Sequence, residues 1–237
     1  MCKVQSDPMN NHMTYSEVIT APRLPLKQMD PSLLMLELLE YYPDDQQSIR
    51  QAVHLAARAH RGQTRATRQE LPKDLYITHP LRVAVRLNRM GLRSVAITCA
   101  AVCHDVIEDC EKNLKADFPN YTPEEVVAGV IGEQACELVK ALSIDPGDNR
   151  PYIEKISDLL QMVEPFWIVK TSDLMDNAGS LKFFPEGPNR LRKATKYNKA
   201  LRLVLSTKQP QMVCYNCWSK KMNAALKVTD DILELGM

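Results

Sequence analysis

Apolar residues recur along most of this chain at intervals of three and four, which is the spacing of a buried helical face. No long stretch alternates apolar and polar residues, so the pattern predicts an all-α protein, and the chain contains no internal repeats. Proline, glycine and capping residues set the expected boundaries. The first expected helix begins near Pro31, the second covers about 45–61, the third begins at His79 and the fourth covers 95–110. Two more follow from Pro123, with a break near Gly132. Later helices begin at Pro151 and cover 166–178 and 190–206, and an amphipathic segment follows Pro210.

The same pattern divides the chain into three parts. Residues 1–30 carry prolines and polar residues without periodicity, so we expect an N-terminal arm there. Residues 31–208 hold the periodic segments and predict one helical domain, which is long enough to bury a core without disulfide bonds. Residues 209–237 predict a C-terminal helical extension.

Charge and hydropathy exclude several classes of protein. Lys and Arg number 30 against 29 Asp and Glu, a balance that argues against a dedicated nucleic-acid binder or a polybasic membrane binder. The first residues lack the apolar core of a signal peptide. The longest apolar-leaning run, Val95–Cys103, is far shorter than the roughly 18 residues of a membrane span. We therefore expect a cytoplasmic protein without a membrane or nucleic-acid partner.

The cysteines do not predict a metal site. Cys214 and Cys217 form one C-x-x-C pair, but a structural zinc site needs four ligands and no second pair has matching spacing. Reduced thiols in a cytoplasmic protein are the simpler interpretation of seven cysteines. With only 8 glycines in the chain, a glycine-rich phosphate loop is also not expected.

The richest candidate chemistry lies near the end of the helix expected over 95–110. Residues four apart share a helical face, which places His104 beneath Glu108 and Asp105 beneath Asp109. Clustered carboxylates raise one another's pKa unless a cation is present. This segment therefore predicts part of a divalent-metal site.

Two other segments supply further candidate ligands. His79 stands immediately before Pro80 at a helix start, and Asp173 lies in an apolar helix with Asn177 one turn beyond it on the same face. A set of His79, His104, Asp105 and Asp173 offers two neutral nitrogens and two carboxylates, which balance the charge of a divalent ion. Mixed imidazole and carboxylate ligation suits Mn, Fe or Zn better than Mg or Ca.

Four motifs appear in one order: HRGQTR at 60–65, YITHPLRVA at 76–84, HDVIED at 104–109 and VKTSDLMDN at 169–177. Together they resemble the hydrolase domain of RelA/SpoT-type alarmone enzymes, an HD-domain group of metal-dependent phosphohydrolases, over about residues 45–205. The resemblance implies an HD-domain helical bundle. It also implies hydrolysis of the 3′-pyrophosphate of ppGpp or pppGpp to GDP or GTP and pyrophosphate.

The resemblance assigns roles to single residues. The four metal ligands of the family match His79, His104, Asp105 and Asp173, and the family's metal is usually one manganese ion per chain. The pair that activates or positions the attacking water matches Glu108 and Asp109, with Glu108 expected to act as the base. The expected substrate contacts, all to a small-molecule nucleotide, are Arg65, Asn177, Lys193 and Tyr197. Residues 209–237 are too few for the second catalytic domain of the family's synthetases, so a hydrolase-only protein is expected.

Two departures from the family pattern leave alternatives open. Residues 66–75 replace a short glycine-containing turn that is expected to border the base. Asp176 stands where the family usually has His or Tyr, which is expected to add negative charge near the site. The alternatives are the same metal chemistry on an adenine alarmone or NADPH, or a non-catalytic nucleotide-binding regulator. Retention of the four ligands and both acids argues against the regulator.

Overall fold

The computed structural model describes residues 23–65, 74–143 and 147–236, and nearly all of its regular structure is helical. The α-helices are α1 Pro31–Tyr41, α2 Gln46–Ala59, α3 Thr78–Arg89, α4 Val95–Cys103, α5 Val106–Asp109, α6 Glu111–Asp117, α7 Pro123–Ile131, α8 Glu133–Leu142, α9 Tyr152–Gln161, α10 Glu164–Ser180, α11 Pro188–Thr207 and α12 Tyr215–Leu235. Short 3₁₀ turns cover Leu26–Gln28 and Leu181–Phe183. The prediction of an all-α fold is confirmed, with one addition: β1 Thr64–Arg65 pairs antiparallel with β2 Asp74–Leu75.

Local sequence signals fix several helix ends. The Asp30 carboxylate accepts a hydrogen bond from the Leu33 backbone N–H and caps α1, as the sequence predicted. Thr122 and Glu125 form the expected capping box at α7. Gly132 separates α7 from α8 with a φ of 81°, a backbone conformation that favours glycine.

The core is built around α4, α3 and α10. Residues 97–103 of α4 are all buried, because α2, α3 and α8 pack around this helix. In turn, α10 packs against α3 on one side and against α11 and α12 on the other. A helix that is covered on all sides has apolar residues around its whole circumference, which matches the composition of α4. This packing brings the start of α3, the end of α4 and the middle of α10 together.

The predicted C-terminal extension packs on the rest of the bundle. Helix α12 lies against α10 and α11, and it buries Trp218 and Met222 completely. Cys214 and Cys217 lie exposed at its start as free thiols. None of the helices in the described ranges is both long and apolar enough to cross a bilayer. The domain boundaries at 30 and 208 stay predictions, and most of the predicted arm lies outside the described residues.

The helix predicted over 95–110 is interrupted, which corrects the sequence prediction. Helix α4 ends at Cys103 and the one-turn helix α5 begins at Val106. Nδ1 of His104 lies 2.8 Å from the Ala101 carbonyl oxygen, an acceptor that a continuous α-helix would pair with the backbone N–H of Asp105. The side chain thus competes for a backbone acceptor at the point where the helix stops. His104 and Asp105 occupy the resulting turn rather than two ridges of one helix.

Candidate metal centre and active site

The four predicted ligands meet where α3, α4 and α10 converge. Nε2 of His79 lies 3.1 Å from Asp173 Oδ1 and 3.6 Å from Asp105 Oδ2. Nε2 of His104 lies 3.1 Å from Asp105 Oδ1 and 3.7 Å from Asp173 Oδ1. Donor atoms of His79, His104 and Asp105 all lie within 4.8 Å of one another, so these three side chains alone could hold a metal ion. Asp173, on α10, is not part of this group of three, but its Oδ1 lies against both imidazole rings.

Hydrogen bonds fix which nitrogen of each imidazole faces the centre. Nδ1 of His79 lies 2.9 Å from Asp176 Oδ2, and Nδ1 of His104 lies 2.8 Å from the Ala101 carbonyl oxygen. Since carboxylate and carbonyl oxygens accept, each Nδ1 donates a proton and each Nε2 is left to face the carboxylates. Nε2 of His104 is buried, and although it lies 3.1 Å from Asp105 Oδ1, it makes no hydrogen bond of suitable angle among the described residues. Two imidazole nitrogens and two carboxylates around one point fit a divalent metal.

The electrostatics of the centre favour positive charge. Burial opposes a charge on His104, but Asp105 and Asp173 outweigh it and raise the pKa of this imidazole to about 9. Burial, followed by the nearby Arg65, lowers the pKa of His79. Burial also opposes ionisation of Asp105, yet His104 and His79 hold the pKa of this carboxyl below its ordinary value. A divalent cation between the rings would supply the charge that these carboxylates attract.

Lys170 is part of the centre, and sequence reasoning missed it. Its Nζ lies 3.0 Å from Asp173 Oδ2, and the lysine is buried. Burial opposes ionisation of Asp173, but nearby positive groups keep the pKa of this carboxyl well below its ordinary value, and Lys170 has the largest effect among them. The signal available in the sequence was the spacing of three between the two residues on one helix, which places them on one face.

Tyr76 is a second residue that sequence reasoning did not single out. Its hydroxyl lies 2.7 Å from Asp105 Oδ2 and 3.2 Å from Asp109 Oδ2, so one donor serves a predicted ligand and a predicted catalytic acid. Its ring stacks on His60 with a centroid distance of 4.4 Å. Burial raises the pKa of Tyr76, and Asp105 adds to this, so the hydroxyl keeps its proton. The only indication of this role in the sequence was that Tyr76 belongs to the same motif as His79.

The predicted catalytic acids lie on α5 beside the ligand set. Partial burial, reinforced by the Asp105 carboxylate, raises the pKa of Asp109. Glu108 is exposed and precedes Asp109 on the same one-turn helix. Asp109 is thus joined to the centre through Tyr76, which also donates to Asp105.

Two of the four predicted substrate contacts, Arg65 and Asn177, are joined to the ligand set by hydrogen bonds. A guanidinium N–H of Arg65 donates to Asn177 Oδ1, and the Asn177 amide donates to Asp173. Nη1 of Arg65 is buried and has no hydrogen-bond partner within the described ranges. Burial lowers the pKa of Lys193, and the charge of Arg65 lowers it further. Burial and Asp173 raise the pKa of Tyr197 to about 12.

Asp176 does not add free negative charge near the substrate contacts, which corrects the sequence prediction. It is completely buried, and its Oδ1 lies 2.9 Å from Lys27 Nζ, 3.1 Å from Arg82 Nε and 2.7 Å from Arg86 Nη2. The two arginines compensate its charge together with Lys27, whose pKa is lowered by burial to about 7, and its other oxygen faces His79. The prediction failed because these partners come from other elements of the fold. Of the altered loop at 66–75, residues 66–73 lie outside the described residues.

Sequence comparison finds known enzymes that are similar to part of this chain. The bifunctional (p)ppGpp synthase/hydrolase SpoT of Escherichia coli K12 is 46% identical over 159 residues, covering 65% of this chain and 21% of that protein. A guanosine-3′,5′-bis(diphosphate) 3′-pyrophosphohydrolase of Aquifex aeolicus is 32% identical over 145 residues, covering 56% of this chain and 20% of that protein. The chain thus spans about one fifth of the length of these relatives. No family model matches it.

The fold comparison agrees with the sequence comparison. The solved structure of a metazoan ortholog of SpoT that hydrolyzes ppGpp superposes with a TM-score of 0.61 at 20% identity, covering 78% of this chain and 96% of that one. The resemblance to RelA/SpoT-type alarmone hydrolases is confirmed. The prediction of an HD-type helical bundle is confirmed with it.

Proposed function

We propose that this chain is a metal-dependent hydrolase that removes the 3′-pyrophosphate of ppGpp or pppGpp. Water and the nucleotide would give GDP or GTP and pyrophosphate, with cleavage of the bond between the 3′ oxygen and the first phosphorus. The observation that carries the proposal is the convergence of two imidazole nitrogens and two carboxylates in a chain similar to ppGpp hydrolases. Similarity to the SpoT ortholog over most of its length supports the same activity.

We assign one divalent ion to His79, His104, Asp105 and Asp173, and propose manganese, with iron or zinc as the other ions that this donor set suits. Such an ion, when bound, would polarise a phosphate oxygen and lower the pKa of a bound water. Tyr76 and Lys170 support the set by donating to Asp105 and holding Asp173 ionised.

The remaining residues act on water and nucleotide. We assign the attacking water's proton to Glu108, with Asp109 assisting from its position beside Tyr76. Arg65 and Lys193 would balance charge on the phosphates. Nη1 of Arg65, which is buried without a hydrogen-bond partner among the described residues, supports this role. Asn177, which donates to Asp173, and Tyr197 would contact the nucleoside part, as the family resemblance implies.

The test is turnover of ppGpp by the purified chain with Mn²⁺. We expect one pyrophosphate released for each GDP formed, and no turnover after metal is stripped with EDTA. His104→Ala should abolish turnover, whereas His54→Ala, which changes an exposed histidine on α2, should not. Turnover in the stripped protein, or release of orthophosphate instead, would contradict the proposal. An adenine alarmone and NADPH, assayed in parallel, would show whether the base is read differently.

A further inference from the structure

Behind the candidate metal centre lies a buried cluster of charged side chains. Asp176 is its only carboxylate among the described residues, and Lys27, Arg82 and Arg86 approach it. Lys27 Nζ also donates to the Asp176 carbonyl oxygen and to Ser180 Oγ. Burying a carboxylate with two arginines and a partly exposed lysine costs desolvation free energy unless every charged group is hydrogen-bonded. A cluster with this cost calls for a functional explanation.

The cluster ends on a predicted metal ligand. His79, Arg82 and Arg86 are spaced three and four apart on α3, so they share the face that packs against α10. All three donate to Asp176, with His79 Nδ1 at 2.9 Å from Oδ2 and Arg82 Nη2 at 3.1 Å from the same oxygen. The carboxylate therefore has a fixed position relative to the His79 ring.

We infer that Asp176 is a positioning residue for the metal centre. Its carboxylate accepts the Nδ1 proton of His79, which fixes the tautomer and aims the Nε2 lone pair at the centre, while Lys27, Arg82 and Arg86 hold the carboxylate in place. Lys27 makes the segment before α1 part of this support. The inference rests on the proposed metal site but not on the identity of the nucleotide.

A cluster that only joined α3 to α10 would behave differently. It would contribute to folding stability and leave the metal affinity of the folded protein unchanged. Glu37 provides a matched comparison, because it is another buried carboxylate held by two arginines, Arg23 and Arg89, and it lies on α1 away from the ligand set. Its replacement should cost stability without touching a metal ligand.

The experiment compares Mn²⁺ binding by the wild-type protein, Asp176→Asn and Glu37→Gln, with free Mn²⁺ followed by its electron paramagnetic resonance signal. Asp176→Asn keeps the shape of the side chain but removes its charge, and loss of such an outer partner typically weakens metal affinity by about 10–100-fold. Glu37→Gln should bind Mn²⁺ as the wild type does. Wild-type affinity in Asp176→Asn, or equal losses in both variants, would overturn the inference.

Two further measurements keep the outcome clear. In the zinc-loaded wild-type protein, which is diamagnetic, we expect the His79 proton on Nδ1 by ¹⁵N NMR, assigned with His79→Gln. A proton on Nε2 would overturn the inference even if Asp176→Asn failed to fold. If neither the wild type nor His104→Ala binds Mn²⁺, the proposed metal site is wrong. If the wild type binds Mn²⁺ and Asp176→Asn binds it equally well, only the role of Asp176 is wrong.

Discussion

At the scale of single residues, the hydroxyl of Tyr76 connects two parts of the site that have different chemical roles. Asp105 belongs to the proposed ligand set and Asp109 to the proposed catalytic acids, yet both carboxylates face this one donor. A neutral hydroxyl can bring two carboxylates close without adding positive charge that would compete with a metal. Its stacking on His60 fixes the ring independently of the hydroxyl.

Tyr76→Phe separates these two functions of the tyrosine, since it keeps the ring and removes the hydroxyl. A hydrogen bond to a charged group is worth roughly 1.5–3 kcal/mol, so we expect kcat/KM for ppGpp to fall by about 10–100-fold. Steady-state kinetics with saturating Mn²⁺ measure this. Tyr121→Phe, at an exposed tyrosine, is the matched control. Unchanged kcat/KM in Tyr76→Phe would show that the hydroxyl is dispensable.

Glu108 and Asp173 should respond differently to loss of charge. Glu108→Gln removes the proposed base and should lower turnover by about 10²–10⁴-fold with little change in metal content. Asp173→Asn weakens a proposed ligand, so its activity should recover in part at high Mn²⁺. Metal analysis and turnover of both variants test the assignment. Wild-type turnover in Glu108→Gln would move the base to Asp109 or another group.

The sequence allowed prediction of the residues whose chemistry is concentrated in short motifs. His79, His104, Asp105 and Asp173 were selected from motifs, and the fold brings them together. The setting of Asp176 could not be predicted, because its neutralisation depends on Lys27, which is 149 residues earlier in the chain. Contacts over such separations arise only from tertiary packing.

At the scale of secondary-structure elements, the break between α4 and α5 shows where local signals fail. His104 and Asp105 both keep backbone angles in the right-handed helical region, and neither glycine nor proline stands between the two helices. The helix ends where the imidazole Nδ1 of His104 donates to the Ala101 carbonyl oxygen, which would otherwise accept from the backbone of the next turn. By contrast, the starts of α1 and α7 were predictable because their capping residues act within four positions of themselves.

Glu37 joins α1 to the end of α3 and gives a test that depends on pH. Its carboxylate accepts from Arg89 at 2.8 and 2.6 Å and from Arg23 at 2.6 Å. Burial opposes ionisation, but the hydrogen bonds of Arg89 and Arg23 lower the pKa of Glu37 below its ordinary value of 4.5. The ionised group therefore stabilises the fold above that pH, and this contribution is lost as the pH falls through the folded-state pKa.

Glu37→Gln should accordingly lower the free energy of unfolding at pH 7 by about 1–3 kcal/mol, the cost of leaving charged partners unsatisfied. The difference between wild type and variant should shrink as the pH falls below 4.5, where the wild-type carboxyl also becomes protonated. Urea denaturation of both proteins at a series of pH values measures it. A difference that grows toward low pH would contradict the assigned charge state.

At the scale of the whole molecule, the ligand set ties together elements that are distant in the chain. His79 begins α3, His104 and Asp105 follow α4, and Asp173 lies in α10. The all-α class of the fold could be predicted from periodicity. The convergence of α3, α4 and α10 at one point could be expected only from the family resemblance, not from the apolar pattern. Apolar spacing identifies which face of a helix is buried but not which helix covers it.

Because the proposed metal would bridge three helices, its binding should stabilise the whole fold. The unfolded chain does not hold the four ligands together, so a metal at 100 times its dissociation constant adds about 2.7 kcal/mol to the free energy of unfolding. We expect Tm to rise with Mn²⁺ concentration in the wild-type protein and in His54→Ala, and to stay constant in His104→Ala. Thermal denaturation at several Mn²⁺ concentrations measures this effect without any substrate. An equal rise of Tm in His104→Ala would place the bound ion elsewhere on the protein, because only the proposed site loses a ligand in that variant.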